Sequence, residues 1–209
     1  MDRSRMEAFS DGVFAVAITL LALDLTVAGP GHGSLAHLLG HHWPQFVSYL
    51  ISFLTIGIIW VNHHALVRNL AKIERTLLFL NLFLLLFVVL IPFATSTMAN
   101  YLSQPGYNSH VAMALYAGVF EGMAVTFSAL FAWTLREGRT SQPVPPRARR
   151  AAAGRFMAGH VPYLAAIGLA FVSPQVSLGL IGAVALYYVL ENTPSSSDAG
   201  TVSETPTGS

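Results

Sequence analysis

The chain alternates between long apolar segments and short polar connections. Six apolar segments stand out, and most of them approach or exceed the roughly 20 residues that a helix needs to cross a bilayer. The sixth is short for a span. The predicted helices cover about residues 9–27, 44–66, 74–98, 109–135, 156–172 and 175–190. We therefore predict an all-α fold with a six-helix transmembrane unit over residues 1–190, followed by a polar, disordered tail over residues 191–209.

The first apolar segment contains several polar residues, which are Ser10, Asp11, Thr19 and Asp24. Such groups are costly in lipid, so they usually face a protein interior or a wet cavity. One helical face of this segment continues from Gly12 through Val16, Thr19, Leu20 and Leu23. This face has the pattern of a pore wall, but the small residues of the segment also allow close helix packing. Position and periodicity alone favour packing over a pore.

Composition places the chain among integral membrane proteins. Apolar residues make up 54% of the sequence and charged residues only 10%, whereas about 25% of residues are charged in soluble domains. There are no cysteines, which excludes disulfides, thiolate metal sites and a catalytic cysteine. The net charge of +1 argues against nucleic acid as a partner.

The basic residues predict how the chain is oriented in the membrane. All 11 lysines and arginines lie in the N-terminal stretch, in the second connection, or in the fourth connection. With six spans, these three sites and the C-terminal tail share one side, which the positive-inside rule makes cytoplasmic. We therefore predict cytoplasmic N and C termini. The Pro-, Arg- and Ala-rich stretch 137–154 is predicted to be a flexible linker near the membrane surface.

Polar residues also interrupt the later segments. Trp60, His63 and His64 lie near the cytoplasmic end of the second segment, where they either bond to the first helix or snorkel to the interface. A metal site there lacks further ligands at the same depth, so we predict no metal. For Glu121, a protonated side chain that hydrogen-bonds a neighbouring helix is favoured over a functional role. His160 is interpreted as a structural polar contact of the same kind. The remaining polar residues are interpreted as interhelical hydrogen-bonding groups, namely Asn81, Thr95, Ser96 and Thr97.

The run Arg5-x-x-x-Phe9-Ser10-Asp11-Gly12, followed by VFAVAITLLALDL, resembles the first helix of prokaryotic members of the transmembrane protein 175 family of potassium channels. The second segment, which ends in Trp60-x-x-His63, is also similar to that family. The resemblance implies a homotetramer without a TVGYG filter, in which the first helices line the pore. It further implies an ion channel rather than an enzyme, with no cofactor, in the cell membrane of a prokaryote.

The resemblance also assigns roles to individual residues. Val16 corresponds to the narrowest ring of the pore, Leu20 and Leu23 continue its apolar wall, and Thr19 contributes hydroxyls beside the ring. A cytoplasmic-side polar network is implied for Arg5, Ser10, Asp11, Trp60 and His63.

Together these observations predict a leak-like channel that is permeable to potassium and modestly selective for potassium over sodium. Its partners are the other copies of the chain, membrane lipids and potassium ions. Three alternatives stay open. One is a secondary transporter of small cations or solutes, although paired broken helices and inverted repeats are not evident. Another is a proton-conducting variant in which His63, His160 and Glu121 titrate. The third, a metal-dependent membrane enzyme using His63 and His64, lacks a ligand set.

Overall fold

The computed structural model describes residues 3–26, 34–68, 70–136 and 146–191. This part of the chain contains seven α-helices, which confirms the all-α prediction. They are α1 (Arg3–Leu23), α2 (Leu35–His41), α3 (Trp43–Arg68), α4 (Arg75–Tyr101), α5 (Asn108–Thr134), α6 (Pro146–Ala170) and α7 (Pro174–Glu191). Four of them, α1, α3, α4 and α5, are long and apolar enough to cross a membrane. Shorter apolar helical stretches cover Met157–Ala170 in α6 and Pro174–Leu190 in α7.

The ends of α3, α4, α5 and α7 lie within three residues of the predicted ranges, whereas α1 and α6 begin well before theirs. α1 starts at Arg3 because its first turns also pack, with Met6 buried at 2% exposure. α6 starts at Pro146, so the prediction of a flexible linker is wrong for residues 146–154. Proline suits the first turn of a helix, and the alanines and arginines that follow are strong helix formers.

The short helix α2 was not predicted, because its seven residues lie in a connection rich in glycine and histidine. The side chain of Ser34 caps it by accepting a hydrogen bond from the backbone N–H of His37, at 3.3 Å. The rest of the predicted linker, 137–145, and the predicted disordered tail beyond residue 191 lie outside the described residues.

Helices α4 and α5 form the centre of the bundle. α4 packs against α1, α3 and α5, and α5 also contacts α6 and α7. Gly122 allows α5 to approach α4 closely, because a Cβ at this position would overlap the ring of Phe87. The buried hydroxyl of Ser52 in α3 lies 2.8 Å from Thr95 Oγ1 and 2.9 Å from Tyr116 Oη. Thr95 is therefore an interhelical hydrogen-bonding residue, as predicted, and this cluster joins α3, α4 and α5. The same prediction is wrong for Thr97, which donates to the carbonyl of Phe93 in its own helix.

Helix α1 has two distinct faces. One face packs against α3 and α4, and its buried residues are Met6, Ser10, Phe14, Ala17 and Leu21. Their spacing of three or four residues is that of a single helical stripe. The opposite face is not covered by any other described part of the chain. The packing of α1 therefore determines which of its residues are left for contacts outside this chain.

Candidate functional site

The residues predicted to line a pore all lie on the uncovered face of α1. Val16 is 56% exposed, Leu20 38% and Leu23 71%, and Thr19 is exposed as well. This face is apolar except for Thr19, from Gly12 to the end of the helix. Exposed apolar surface of this extent on a membrane helix contacts either lipid or another protein surface.

The hydroxyl of Thr19 is oriented by its own helix. Its Oγ1 donates a hydrogen bond of 2.8 Å to the carbonyl oxygen of Val16. A hydroxyl has one hydrogen and two lone pairs, so this bond uses the donor and leaves the oxygen lone pairs on the exposed face. Thr19 therefore presents an acceptor there, which is the group that a cation requires.

Behind the uncovered face, a series of buried hydrogen bonds connects α1, α4 and α3. Ser10 Oγ donates to the carbonyl of Met6 at 2.9 Å, so it accepts the hydrogen bond of 2.9 Å from Asn81 Nδ2. The amide oxygen of Asn81 lies 2.7 Å from His63 Nε2. Because an amide oxygen only accepts, His63 carries its hydrogen on Nε2. His63 Nδ1 is buried and has no hydrogen-bond partner among the described residues, so a second ring hydrogen there would be unsatisfied. We call Ser10, Asn81 and His63 the neutral cluster.

The neutral cluster is almost completely buried within the protein. Ser10 and His63 are 0% exposed and Asn81 is 2% exposed. The ring of Phe14 in α1 packs against His63, with centroids 5.5 Å apart. Ser10 and His63 were predicted to belong to one network, and Asn81 was predicted to bond between helices. The structure shows that Asn81 is the bridge between the other two.

A second set of contacts joins α1 to α3. Trp60 Nε1 donates to Asp11 Oδ1 at 2.9 Å, which brings together two residues of the predicted network. His64 Nδ1 lies 2.9 Å from Glu7 Oε1, and this pair was not predicted. Its signal is present in the sequence: Glu7 lies four residues before Asp11, and His64 lies four residues after Trp60. Two antiparallel helices that pair at one position also pair one turn away in this register.

The structure does not bring Arg5 into this network. Its side chain is exposed and forms no hydrogen bond or ion pair with the described residues. Arg5 and Asp11 are six residues apart, which places them about 120° apart around a helix of 3.6 residues per turn. Arg3 contacts α3 instead, through a hydrogen bond of 3.2 Å from its Nη1 to the carbonyl of Arg68.

A third polar set joins α5 to α6. His160 Nδ1 lies 2.9 Å from Glu121 Oε1, and His160 Nε2 lies 3.0 Å from Ser128 Oγ. We call these three residues the carboxylate cluster. The contact confirms the predicted hydrogen bond between Glu121 and a neighbouring helix, and His160 is its partner. Ser128 was not predicted, although it lies seven residues after Glu121 and so on the same side of α5.

Comparisons with known proteins identify relatives of this chain. The family model described as endosomal/lysosomal potassium channel TMEM175 matches residues 5–92. A potassium channel of Streptomyces collinus is 45% identical over 92% of this chain and 94% of its own length. A potassium channel of Chamaesiphon minutus is 35% identical over 91% of this chain and 95% of its own length.

The fold is similar to a solved structure as well. The crystal structure of a lysosomal potassium-selective channel TMEM175 homologue from Chamaesiphon minutus superposes with a TM-score of 0.80. It is 33% identical and covers 90% of this chain and 97% of that chain. The similarity therefore extends well beyond the residues that match the family model. The chain belongs to the TMEM175 family.

Proposed function

We propose that this protein is a potassium channel of a prokaryotic cell membrane, built from four copies of the chain. The observation that carries the proposal is the uncovered face of α1, which presents Val16 and Thr19 away from the rest of the chain. Four such faces around an axis would enclose a pore. The relatives named potassium channels, which match more than nine-tenths of the chain, support this function.

In the proposed assembly each copy contributes six spans, α1 and α3 to α7, with both termini in the cytoplasm. The position of the basic residues supports this orientation, because they cluster at the N terminus and in the connections after α3 and α5. α2 then lies in the outer connection between the first two spans.

Val16 forms the constriction in this proposal. A ring of four valine side chains is a hydrophobic neck, and such a neck blocks ions when water leaves it. Leu20 and Leu23 extend the apolar wall on one side of the ring. Because valine is smaller than leucine or isoleucine, the ring closes less completely than one of larger residues.

Thr19 supplies the potassium preference. Its hydrogen is donated to Val16 O, so four hydroxyl oxygens would face the axis with their lone pairs. Oxygen dipoles partly replace the hydration shell of a cation. Hydroxyls carry less negative charge than carboxylates, so they favour potassium, which loses water more easily than sodium, only modestly.

The contacts behind α1 hold this wall in place. The neutral cluster connects the buried face of α1 to α3 and α4. The hydrogen bond from Trp60 to Asp11, the residue after Ser10, connects α1 to α3 a second time. A pore whose narrowest ring consists of one side chain per copy needs such support, because a small displacement of each helix changes its diameter.

The test is passive flux into liposomes that contain the purified protein, with potassium and sodium compared. Val16→Ala widens the ring and is expected to raise the flux of both ions. Thr19→Ala removes the acceptor and is expected to lower the ratio of potassium to sodium flux. Matched controls on α4 are Val89→Ala, at a valine that is 47% exposed, and Thr97→Ala, whose hydroxyl also bonds within its own helix.

If the controls change flux as much as the α1 variants, α1 does not line the pore. If a correctly folded oligomer shows no passive flux but takes up potassium saturably with a second ion, the protein is a secondary transporter.

Proton permeation is the second candidate function, because an animal relative is named a proton channel. The endosomal/lysosomal proton channel TMEM175 of mouse is 34% identical over 157 residues, which span 68% of this chain and 30% of the mouse protein. Residues 12–23 of α1 contain no titratable side chain, so protons would cross the ring through water. Val16→Ala would then raise proton flux and potassium flux together. If Glu121→Gln lowers proton flux and leaves potassium flux unchanged, protons instead use the carboxylate cluster.

A further inference from the structure

A cavity of about 730 Å³ lies between α3, α5, α6 and α7, away from the uncovered face of α1. Its size is within the range of roughly 300–1,000 Å³ that holds small molecules in proteins. The lining is mainly apolar and includes Ile59, Met123, Phe127 and Val184, with Asn62 and Ser128 as polar members. A lining of this kind accepts a hydrocarbon chain and offers a few hydrogen-bonding groups to the polar end of the same molecule.

The cavity lies at the basic end of the bundle. Its α5 lining reaches Phe131, three residues before the end of α5 at Thr134, and the exposed Arg136 follows two residues later. Its α6 lining begins at Ala158, three residues after Arg155. Ala158 is exposed and so is Tyr187 on α7, so the cavity borders the outer surface of these two helices.

The sequence between α5 and the cavity-lining part of α6 is strongly cationic. Residues 136–155 contain six arginines and one glutamate, and the second half of this stretch forms the first turns of α6. Basic residues beside a transmembrane helix attract anionic headgroups, and basic pockets between helices bind them specifically. In the sequence of α6, the arginine-rich first turns therefore directly precede the part of the helix that lines the cavity.

We propose that the cavity binds one acyl chain of an anionic phospholipid, whose headgroup is held by the arginine-rich start of α6. This ligand matches both the apolar cavity and the arginine-rich sequence. A neutral lipid would have no charge for the arginines to bind, and a small anion would not fill the cavity. Tyr188 adds a hydroxyl beside Gly159 of α6. A Cβ on Gly159 would lie 3.2 Å from the Oη of Tyr188, so the absence of a side chain at this position leaves space for the tyrosine. The site is separate from the proposed pore.

The experiment is native mass spectrometry of the purified full chain with added phosphatidylglycerol or phosphatidylcholine that carry identical acyl chains. The wild type is expected to bind phosphatidylglycerol about tenfold more tightly than phosphatidylcholine. Ala158→Trp fills the cavity and is expected to weaken binding of both lipids by about tenfold. Ala165→Trp is the matched control, because Ala165 is also an exposed alanine of α6 but does not line the cavity. It should bind as the wild type does.

Replacing Arg147, Arg149 and Arg150 by glutamine is expected to remove the preference for phosphatidylglycerol and to leave phosphatidylcholine binding unchanged. Size-exclusion chromatography and circular dichroism check that each variant folds.

If Ala158→Trp binds both lipids as the wild type does, the cavity is not the site and the arginines only attract lipid to the surface. Equal binding of the two lipids by the wild type would overturn the headgroup assignment. Lack of binding of either lipid would overturn the proposal. None of these readouts depends on conduction.

Discussion

The neutral cluster and the carboxylate cluster are both built around a histidine and a serine, but they differ in charge and burial. In the neutral cluster an amide lies between Ser10 and His63, and all three residues are at most 2% exposed. In the carboxylate cluster His160 lies between Ser128 and Glu121, and the His160 and Glu121 side chains are 12% and 13% exposed. The first joins three helices and the second joins two.

The difference follows from the cost of charge in an apolar environment. A fully buried ion needs a partner and further hydrogen bonds to offset its lost hydration, whereas an amide needs only hydrogen bonds. The fully buried contact of α1 is therefore made through an amide and a hydroxyl, whereas its carboxylates, Glu7 and Asp11, form the less buried contacts to His64 and Trp60. The carboxylate of Glu121 lies where the bundle is less tightly closed, and Ser128 of the same cluster lines the large cavity.

The largest effect is expected from Asn81→Leu, which breaks the neutral cluster. Both Ser10 and the Nε2 hydrogen of His63 lose their interhelical partner while they stay buried. Because each unsatisfied buried group costs about 1–3 kcal/mol, the free energy of unfolding should fall by at least about 2 kcal/mol. The free energies of unfolding of the wild type and the variant are measured in mixed micelles. Asn100→Leu, at an exposed position of the same helix, should cost much less. Equal losses for the two variants would show that the cluster does not stabilise the fold.

The next effect tests whether charge or hydrogen bonding matters at Glu121. Glu121→Gln keeps an oxygen that accepts from His160, and we expect a loss below about 0.5 kcal/mol. Glu121→Leu removes the acceptor, and we expect a loss of about 1 kcal/mol, in the range of interhelical hydrogen bonds in membranes. The two unfolding free energies are compared in the same micelles. If the glutamine variant loses as much as the leucine variant, the negative charge stabilises the contact.

A smaller effect is expected from Trp60→Phe. It removes the hydrogen bond to Asp11, but the indole is 41% exposed, so the carboxylate of Asp11 regains hydration. We expect a loss of about 0.5 kcal/mol. A double-mutant cycle with Asp11→Ala isolates the pair, because Asp11→Ala should have little further effect once Trp60 is phenylalanine. Additive losses would show that the 2.9 Å contact contributes nothing.

The smallest effect is expected from Arg5→Gln. Arg5 is exposed and has no hydrogen bond or ion pair within the described structure, so its replacement should change stability by less than about 0.5 kcal/mol. Its effect should also add to that of Asp11→Ala. Non-additivity in the assembled oligomer would show that Arg5 reaches Asp11 across the boundary between copies, which would restore its place in the network.

Apolar periodicity was sufficient to predict most of the helices, because a span is a local property of about 20 consecutive residues. It predicted α3, α4, α5 and α7 closely. It did not predict the early start of α6, because the arginines and alanines after Pro146 form a helix without being apolar. It did not predict α2 either, since seven residues are too few for a periodic signal.

The sequence by itself determined the all-α class, which residues share a face of α1, and the motif that identifies the family. The resemblance to the family, rather than periodicity, placed Arg5, Ser10, Asp11, Trp60 and His63 in one network. Only the tertiary structure decided which groups meet: Asn81 between Ser10 and His63, Glu121 with His160, Glu7 with His64, and Arg5 with none of them. The physical reason is that helical periodicity gives the direction of a side chain around its own axis. The partner it meets depends on how neighbouring helices are rotated and shifted, and packing sets both.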